Sequence, residues 1–355
     1  MKPLLELKQI RCCYQGNTIV DNLSLHVNHG NLVCLLGPSG CGKTTVLRAI
    51  AGFEPVFSGE IRMGGQLLSK SGFTLPPEKR RQGMVFQDYA LFPHMTVFQN
   101  VCFGIRHQPK EEQQTTGRHM LELVGMDGFQ HRYPHELSGG QQQRIALARS
   151  LAAKPDLILM DEPFSSLDPD IRESLRLEVR QILKQEGVTG ILVTHDQDEA
   201  FALGDQIGVM KNGEILQWDT PFNLYHEPVD KFVARFIGQG VFLPGTMLSP
   251  DTIETELGVL KGDRAYKWRP GTAVQILLRP DDVISDAGSA LSAEITQKAF
   301  KGAEILYTLR LPTGSNILSL FSSHENHEIG DKVGISVDMH HMVAFAAQQR
   351  PTDLP

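Results

Sequence analysis

The sequence has few of the features that mark secreted or disulfide-stapled proteins. It contains only 5 cysteines among 355 residues, and aromatic residues make up 7% of the chain. An odd and small number of cysteines in a chain of this length indicates a reducing compartment, because disulfide frameworks use cysteines in pairs. Cys12 and Cys13 are adjacent, which matches no zinc-ligand spacing. These features predict a cytoplasmic protein.

Long apolar runs and an excess of basic residues are also missing. No run of about 18 apolar residues occurs, so a membrane-spanning helix is not expected. Residues 1–8 contain no long apolar segment, so secretion is not expected either. The chain carries 34 Lys and Arg against 41 Asp and Glu, a net charge of −7. This balance argues against a general nucleic-acid-binding protein, which needs a basic surface.

The most specific pattern that is present is a phosphate-binding loop. Residues 37–44, GPSGCGKT, match G-x-x-x-x-G-K-[ST] at every fixed position. The apolar run Leu32–Leu36 before it predicts a buried strand, and residues 45–51 after it predict a helix. The motif needs this context, because the glycines turn N–H groups inward and the helix dipole favours an anion. We expect Lys43 to reach the β- and γ-phosphates of a nucleotide, and Thr44 to hold Mg²⁺.

Strand and helix signals alternate around this loop. Residues 4–35 are typical of strands, and residues from about 88 to 155 are richer in helix signals. The short apolar runs Leu157–Met160 and Gly190–Thr194 have the length of central parallel strands. Helices that alternate with short buried strands predict an α/β core. At 355 residues, the chain has room for about two domains.

The segment between the two central strands predicts an amphipathic helix. Asp168 as the N-cap and Pro169 as the first helical residue would open it, and Gly187 would close it. One helical face carries the apolar residues Ile171, Leu175, Val179, Ile182 and Leu183. This spacing predicts a helix that connects the two strands in an α/β arrangement.

A second motif, LSGGQ at residues 137–141, is expected to begin another helix. Ser138 and Gln141 have capping-box spacing, which predicts Ser138 as the N-cap. Gly139 and Gly140 in the first turn leave backbone N–H groups accessible to an anion. An ordinary capped helix remains the alternative for this motif taken by itself.

Two carboxylates follow the apolar run at residues 157–160. Asp161 and Glu162 would lie at the carboxyl end of a strand, where α/β proteins bind ligands. We expect Asp161 to orient Mg²⁺, directly or through water, and Glu162 to act as general base on the attacking water. An acidic strand end that faces solvent is the alternative.

Taken together, the motifs resemble those of the nucleotide-binding subunit of an ABC transporter over about residues 4–240. Residues 37–45 are similar to its Walker A motif, 137–141 to its signature, 157–162 to its Walker B motif and 165–168 to its D-loop. The resemblance implies these ATP-binding residues: Tyr14, Gly37, Pro38, Ser39, Gly40, Cys41, Gly42, Lys43, Thr44, Thr45, Ser138, Gly139, Gly140, Gln141 and Asp168.

The resemblance also implies catalytic and metal-binding residues. Glu162, the switch histidine His195 and the Q-loop residue Gln87 would be catalytic, and Thr44, Gln87 and Asp161 would bind Mg²⁺. Singly, each residue has an ordinary alternative. Tyr14 could be a strand aromatic, Gln87 a plain polar residue, and His195 the end of a strand.

The implied fold is an α/β P-loop NTPase core of the ABC ATPase type with a helical subdomain, followed by a small all-β domain of the TOBE or OB-like type. We expect the nucleotide-binding domain at residues 1–238, with its helical subdomain at about 88–155, and the β-rich regulatory or dimerisation domain at 239–355. After residue 240, Gly, Pro and Thr punctuate short apolar stretches, which is typical of strands. Residues 221–237 predict a helical connector.

The implied cofactors are ATP and Mg²⁺, and the implied partners follow from where ATP binds in this family. ATP lies between the P-loop of one subunit and the signature of another, which implies a homodimer. Integral membrane permease subunits would be coupled to the opening and closing of this dimer, and a periplasmic substrate-binding protein would act indirectly. Nucleic acid is not an expected partner. The chain would lie peripherally at the cytoplasmic face of the inner membrane.

The Q-loop region resembles the groove that receives the permease. Its apolar residues, which the sequence indicates as exposed, are Tyr89, Leu91, Phe92, Met95 and Phe98. Packing inside the helical subdomain is the alternative for these residues.

The C-terminal region, with residues 276–283, resembles the appended domain of importer ATPases. Residues 75–81 and 236–244 are most similar to the ferric-iron branch, so the chain is expected to energise import of ferric iron. The same architecture importing a polyamine, sulfate, thiamine or a sugar is the alternative. A soluble ABC ATPase acting on nucleic acid or the ribosome, or a P-loop kinase, fits the motifs less well. The C-terminal domain would bind a regulator or stabilise the dimer.

Overall fold

The computed structural model describes residues 2–347. The chain divides into two compact units, which meet at Pro221 and Phe222. The sequence places a domain boundary between residues 238 and 239 instead. That boundary stays a prediction, because a division by compactness and a division by sequence pattern answer different questions. In the part of the chain that is described, no helix has both the length and the apolar character needed to cross a membrane.

Among the described residues, the first unit is built from eleven strands and six α-helices. Its strands are β1 (Leu5–Tyr14), β2 (Asn17–Val27), β3 (Leu32–Leu36), β4 (Ser58–Met63), β5 (Gln66–Lys70), β6 (Phe73–Thr74), β7 (Gln82–Val85), β8 (Leu157–Asp161), β9 (Thr189–Thr194), β10 (Gln206–Lys211) and β11 (Glu214–Asp219). Its helices are α1 (Lys43–Ala51), α2 (Val97–Cys102), α3 (Lys110–Leu123), α4 (Gly139–Ala152), α5 (Pro169–Gln185) and α6 (Gln197–Leu203).

A six-stranded sheet forms the centre of this unit. Its strand order is β11-β10-β3-β9-β8-β7, and all neighbours are parallel except the β10–β11 pair at one edge. Every residue of β3 and β9 is buried, as the continuous apolar runs predict for strands covered on both faces. The carboxyl ends of β3, β9 and β8 therefore meet at one edge of the sheet, where ligands bind in such folds.

A second sheet, β2-β1-β4-β5-β6, is antiparallel and carries Tyr14 at the end of β1. The core of the unit includes Leu5, Leu35, Leu47 and Leu159, whose side chains are fully buried. These residues come from both sheets and from α1. The helix that follows the phosphate-binding loop is thus fixed by packing as well as by its own hydrogen bonds.

Helices α2, α3 and α4 pack on one another within residues 88–155, as the helix signals predict. Gly117 of α3 permits a close approach, because a Cβ atom there would lie 2.6 Å from the Phe98 ring. Ser138 caps α4 and forms the predicted capping box with Gln141. This box fixes where the helix begins.

Helix α5 begins after Asp168 and ends before Gly187, as the sequence predicts. Four of the five apolar residues on its predicted apolar face are buried: Leu175, Val179, Ile182 and Leu183. The fifth, Ile171, is 44% exposed. Ile171 lies in the first turn and faces the start of α4, because a Cβ on Gly140 would lie 3.3 Å from its Cγ2 atom.

The second unit contains the last two helices and ten strands within the described residues. The helices are α7 (Pro221–His226), which starts at the junction, and α8 (Lys231–Ile237). The strands are β12 (Val241–Ser249), β13 (Thr252–Thr255), β14 (Gly258–Lys261), β15 (Ala273–Leu278), β16 (Val283–Ser285), β17 (Ser292–Phe300), β18 (Glu304–Arg310), β19 (Asn316–Ser322), β20 (Lys332–Val337) and β21 (Val343–Ala346).

These strands form two five-stranded sheets, β14-β13-β12-β15-β21 and β16-β20-β17-β18-β19, which share one apolar core. The predicted all-β character of the region after residue 240 is thereby confirmed. The predicted helical connector consists of two short helices. Pro228 separates them, since the residue before a proline disfavours the helical conformation.

Candidate functional site

A pocket of about 450 Å³ in the first unit gathers residues from the phosphate-binding loop, the end of β1 and the end of β8. Its lining comprises Cys12, Cys13, Tyr14, Ile19, Ser39, Gly40, Gly42, Lys43, Thr44, Thr45, Arg48, Glu54 and Glu162. Tyr14 is 60% exposed, so one face of its ring is free to stack on a planar group. The pocket therefore joins an aromatic platform to an anion-binding loop.

The phosphate-binding loop needs its glycines for two different reasons. Gly40 and Gly42 have φ angles of +79° and +105°, which side chains rarely tolerate. Gly37 is instead required by a close approach, because a Cβ atom there would lie 2.5 Å from the Met210 carbonyl oxygen and 2.7 Å from Cys41 Sγ. Pro38 and Ser39 form the exposed tip of the loop, and Cys41 is buried beneath it. These residues hold the backbone in a cradle around the pocket.

Lys43 is buried at the first residue of α1, and its ammonium group lies over the loop. The Nζ atom donates hydrogen bonds to the carbonyl oxygens of Gly37 at 2.7 Å and Pro38 at 3.0 Å. This places a cation where the N–H groups of the loop and the helix dipole already favour an anion. A phosphate group at this point would meet all three.

Thr44 and Asp161 present hard oxygen atoms next to the same loop. The Thr44 hydroxyl donates a hydrogen bond to Asp161 Oδ1 at 3.1 Å. Burial raises the pKa of the Asp161 carboxyl, whereas the Thr44 hydrogen bond opposes that rise. A hydroxyl and a carboxylate are the ligands that Mg²⁺ takes beside substrate phosphates. The donor set at this position therefore fits Mg²⁺.

Glu162 follows directly and is held in a left-handed conformation with φ of +43°. The Glu162 backbone N–H donates to the Val193 carbonyl at 3.0 Å, and the Ser165 hydroxyl donates to the Glu162 carbonyl at 2.9 Å. Such a conformation costs about 1–3 kcal/mol, so the surrounding contacts must enforce it. The side-chain atom Oε2 lies 3.1 Å from His195 Nδ1. The strained backbone thus aims Glu162 at His195, whose ring is half exposed.

A buried charge network lies behind His195. Thr194 and Asp196, which flank the histidine in sequence, both belong to this network. The Thr194 hydroxyl donates to Glu199 Oε2 at 2.5 Å. Arg176 of α5 lies 2.7 Å from Asp196 Oδ2 and 3.6 Å from Glu199 Oε1. Arg176 is 7% and Glu199 is 2% exposed. The network fixes the backbone on both sides of His195 and ties it to α5.

Some of the predicted residues lie away from this pocket. Gln87 is exposed, two residues beyond the end of β7, and no contact described in residues 2–347 joins it to the phosphate-binding loop. Because β7 runs parallel to β8, Gln87 nevertheless emerges at the same sheet edge as Glu162. Asp168 is the exposed N-cap of α5 and makes no side-chain capping bond.

The LSGGQ motif also lies outside the pocket lining. Ser138 accepts a hydrogen bond from Gln141 N, and Gln141 Oε1 accepts one from Ser138 N, while Gly139 and Gly140 form the first turn of α4. This arrangement leaves the start of α4 as a second possible anion site on the same chain.

A second, less polar pocket of about 450 Å³ lies near the Q-loop region. It is lined by Ala51, Phe53, Pro77, Glu78, Gln82, Gly83, Met84, Phe86, Ala90, Phe92, Phe103, Arg149 and Leu159. We call it the apolar groove. Of the five residues that the sequence assigns to such a groove, Phe92 lines it. The expected exposure of Tyr89 is wrong, since its side chain is buried at 6% exposure.

Sequence reasoning missed several pocket residues. Arg48 lies one helical turn after Thr44, so the i, i+4 spacing of α1 could have identified it. Glu54, Cys12 and Cys13 reach the pocket through tertiary structure, and no local pattern marks them. The Arg176 network was missed because its members lie on three separate elements.

Family models match both units. A model described as "ABC transporter" matches residues 20–165, and one described as "TOBE domain" matches residues 261–345. A solved structure, cbiO1 from Clostridium perfringens, part of the ABC transporter complex cbiONQ, is 27% identical with a TM-score of 0.59. The match covers 64% of this chain and 92% of that one.

Curated relatives match over nearly the full length. The chain is 41% identical to a spermidine/putrescine import ATP-binding protein PotA of Lawsonia intracellularis, over 94% of this chain and 95% of that protein. It is 43% identical to a protein of the same name from Pseudomonas fluorescens, over 90% of each chain. Both names denote import of spermidine and putrescine, and neither denotes ferric iron.

Proposed function

The chain belongs to the family of ABC transporter ATP-binding proteins, and on this basis we propose that it hydrolyses ATP to drive import of a polyamine of the spermidine/putrescine class. As a member of the family, it binds ATP with Mg²⁺ and acts as a dimer with membrane permease subunits and a substrate-binding protein. It is a peripheral protein on the cytoplasmic side of the membrane.

The observation that carries the polyamine proposal is the full-length similarity to spermidine/putrescine import ATP-binding proteins. It extends through the C-terminal β-rich unit as well as the nucleotide-binding motifs. The ferric-iron expectation depended on two short stretches, residues 75–81 and 236–244. Similarity over nearly the whole chain outweighs these stretches.

We assign the chemistry to the pocket of the first unit. Tyr14 stacks on the adenine, and the loop from Gly37 to Thr45 binds the phosphates with the Lys43 ammonium. Thr44 and Asp161 supply protein ligands for Mg²⁺, which neutralises phosphate charge when bound. In this assignment Gln87 adds a ligand from the end of β7, for which its position at the same sheet edge is the support.

Glu162 is assigned as the general base. Its carboxylate lies at the strand end beside the phosphate-binding loop, and it accepts the proton of the attacking water. His195, 3.1 Å from Glu162 Oε2, orients that carboxylate and meets the terminal phosphate. The support for these roles is the short Glu162–His195 distance and the enforced backbone at Glu162.

A second copy of the chain completes each site in this proposal. The residues Ser138, Gly139, Gly140, Gln141 and Asp168 are set apart from the pocket of their own chain. The capped start of α4 presents N–H groups that suit the γ-phosphate held by the other copy. A site closed from both sides excludes water and surrounds the transition state with donors.

We assign the apolar groove to a helix of the permease. Its lining has Phe53, Phe86, Phe92 and Phe103 around an opening next to the Q-loop region, which suits an amphipathic segment. Its lining includes residues of β7, which leads to Gln87, and of α4, which begins at the LSGGQ motif.

Uptake of labelled spermidine by cells that lack this gene tests the function. Wild-type protein is expected to restore uptake, and Glu162→Gln to bind ATP without restoring it. Glu122→Gln removes the same charge from an exposed position on α3 and serves as the matched control. Restored uptake of ferric iron with no change in spermidine uptake would refute the polyamine proposal.

A further inference from the structure

The segment between Gln87 and the apolar groove has an unusual backbone. Tyr89 and Ala90 have φ angles of +60° and +45°. Among residues 2–347 they are the only two consecutive non-glycine residues with positive φ. Side chains disfavour this conformation because Cβ crowds the carbonyl oxygen, so other contacts must hold it.

One arginine holds both of these residues. Arg149 of α4 donates from Nη1 to the Ala90 carbonyl at 2.6 Å and from Nη2 to the Tyr89 carbonyl at 2.8 Å. Its guanidinium lies 5.7 Å from the centre of the Phe92 ring, which lines the groove. Burial lowers the pKa of Arg149, so desolvation opposes its charge there. A planar fork that serves two adjacent carbonyls is a geometry that lysine cannot reproduce.

The kink turns the Tyr89 side chain away from the groove and into the first unit. Its hydroxyl forms a hydrogen bond with Ser166 Oγ at 2.6 Å. Ser166 lies two residues before Asp168 in the segment that precedes α5. A Cβ on Gly139 would lie 3.9 Å from the Tyr89 hydroxyl and 3.1 Å from Leu167. The Tyr89 hydroxyl therefore bonds to the segment before Asp168 and lies close to Gly139 at the start of the LSGGQ helix.

We propose that Tyr89 is a positioning residue, held by Arg149, that sets the segment from Ser165 to Asp168 and so links the state of the groove to the ATP site. Ala90 and Phe92 line the groove and Arg149 is part of its wall, so an occupant of the groove contacts the same structure that holds Tyr89. The inference rests on the proposed function, which assigns the apolar groove to a helix of the permease. The contacts of Tyr89 and Arg149 do not depend on that assignment.

The test uses variants that remove only the hydrogen bond. Tyr89→Phe, Ser166→Ala and the double variant are compared with wild type for ATP hydrolysis by the purified chain and for substrate-driven import by the assembled transporter. Tyr307→Phe is the matched control. It removes the hydroxyl of a fully buried tyrosine that donates to the Glu325 carbonyl at 3.0 Å in the second unit.

Each single variant is expected to lower kcat about 3- to 10-fold, the range that one hydrogen bond supplies, with the KM for ATP nearly unchanged. The double variant should be no slower than either single one, because all three lack the same bond. Arg149→Lys should lower kcat similarly. Arg106→Lys should not, because Arg106 lies over Phe103 whereas the hydrogen bonds to the Tyr89 and Ala90 carbonyls come from Arg149.

A kcat within about 1.5-fold of wild type in both single variants would overturn the inference, because the loss of one hydrogen bond should lower the rate by more than this. Additive losses in the double variant would also overturn it. If Tyr89→Phe fails to fold, exposed Ser166→Ala still decides. Import of a substrate other than a polyamine would overturn the proposed function and leave the comparison of hydrolysis rates intact.

Discussion

Removal of the buried Arg176 guanidinium should both destabilise the first unit and slow ATP hydrolysis. Arg176 Nη2 lies 2.7 Å from Asp196 Oδ2 and 3.6 Å from Glu199 Oε1. In Arg176→Met, both carboxylates lose this cation. Asp196 keeps Arg172 at 3.6 Å, whereas Glu199, 2% exposed, keeps the Thr194 hydroxyl at 2.5 Å and the weaker electrostatic attraction of Arg172. The cost is therefore mainly that of a buried, unpaired Glu199.

Breaking a buried ion pair costs about 3–5 kcal/mol, because one charge remains without compensation. A unit of this size loses about 2–4 °C of melting temperature per kcal/mol, which predicts a drop of about 6–20 °C. Thermal unfolding of the full chain, followed by calorimetry, measures it. Glu199→Gln in the same background should recover most of the loss, because the amide leaves no charge behind.

The pH dependence gives an independent check. Burial is the main reason why the pKa of Glu199 is raised, and Arg176 opposes that rise. A carboxyl with a raised folded-state pKa stabilises most at low pH, and this contribution is lost as the pH rises through that pKa. Arg176→Met should thus regain stability on acidification more than wild type. A drop below about 2 °C, with no rescue by Glu199→Gln, would refute this account of the network.

Three further predictions follow from the sites. Lys43→Ala should weaken ATP binding about 10- to 100-fold, since a charged donor to phosphate is lost, and equilibrium binding of a fluorescent ATP analogue would measure it. Hydrolysis should be abolished in Lys43→Ala alone and in Ser138→Arg alone. A mixture of the two variants should regain a measurable rate, because one of the two sites in a mixed dimer is then intact. An inactive mixture would contradict a site built from two copies. Burial raises the pKa of Asp282 to about 6, so the second unit should gain stability as the pH falls from about 7 to 5, and Asp282→Asn should flatten that melting profile.

Local patterns predicted the parts of the fold whose physics is local. The buried strands β3, β8 and β9 were predicted from continuous apolar runs, and the start of α4 from the Ser138 capping box. Gly42 and Lys43 were found because the phosphate-binding loop is a contiguous motif whose backbone geometry dictates its glycines. These features need no knowledge of distant contacts.

The differences from the sequence interpretation have tertiary causes. Ile171 shares the helical spacing of the buried residues of α5, yet it is exposed in the first turn, beside the start of α4. Tyr89 occurs in an apolar, loop-like stretch that indicates exposure. It is buried at a kink where two consecutive residues have positive φ, and the arginine that supports this kink is 60 residues away in sequence.

The charge network behind His195 shows the same limit. Its residues belong to α5, the end of β9 and α6, and no sequence spacing connects Arg176 with Glu199. The chemistry of the pocket could be predicted because each motif carries its own geometry. The contacts that join those motifs to one another could not.

The most direct test of the central claim is ATP-dependent accumulation of labelled spermidine in proteoliposomes that contain the transporter assembled with this chain. We expect accumulation with wild-type protein and ATP, competition by unlabelled putrescine, and no accumulation with Glu162→Gln. Accumulation of ferric iron but not of spermidine, or spermidine accumulation that is unchanged by Glu162→Gln, would contradict it.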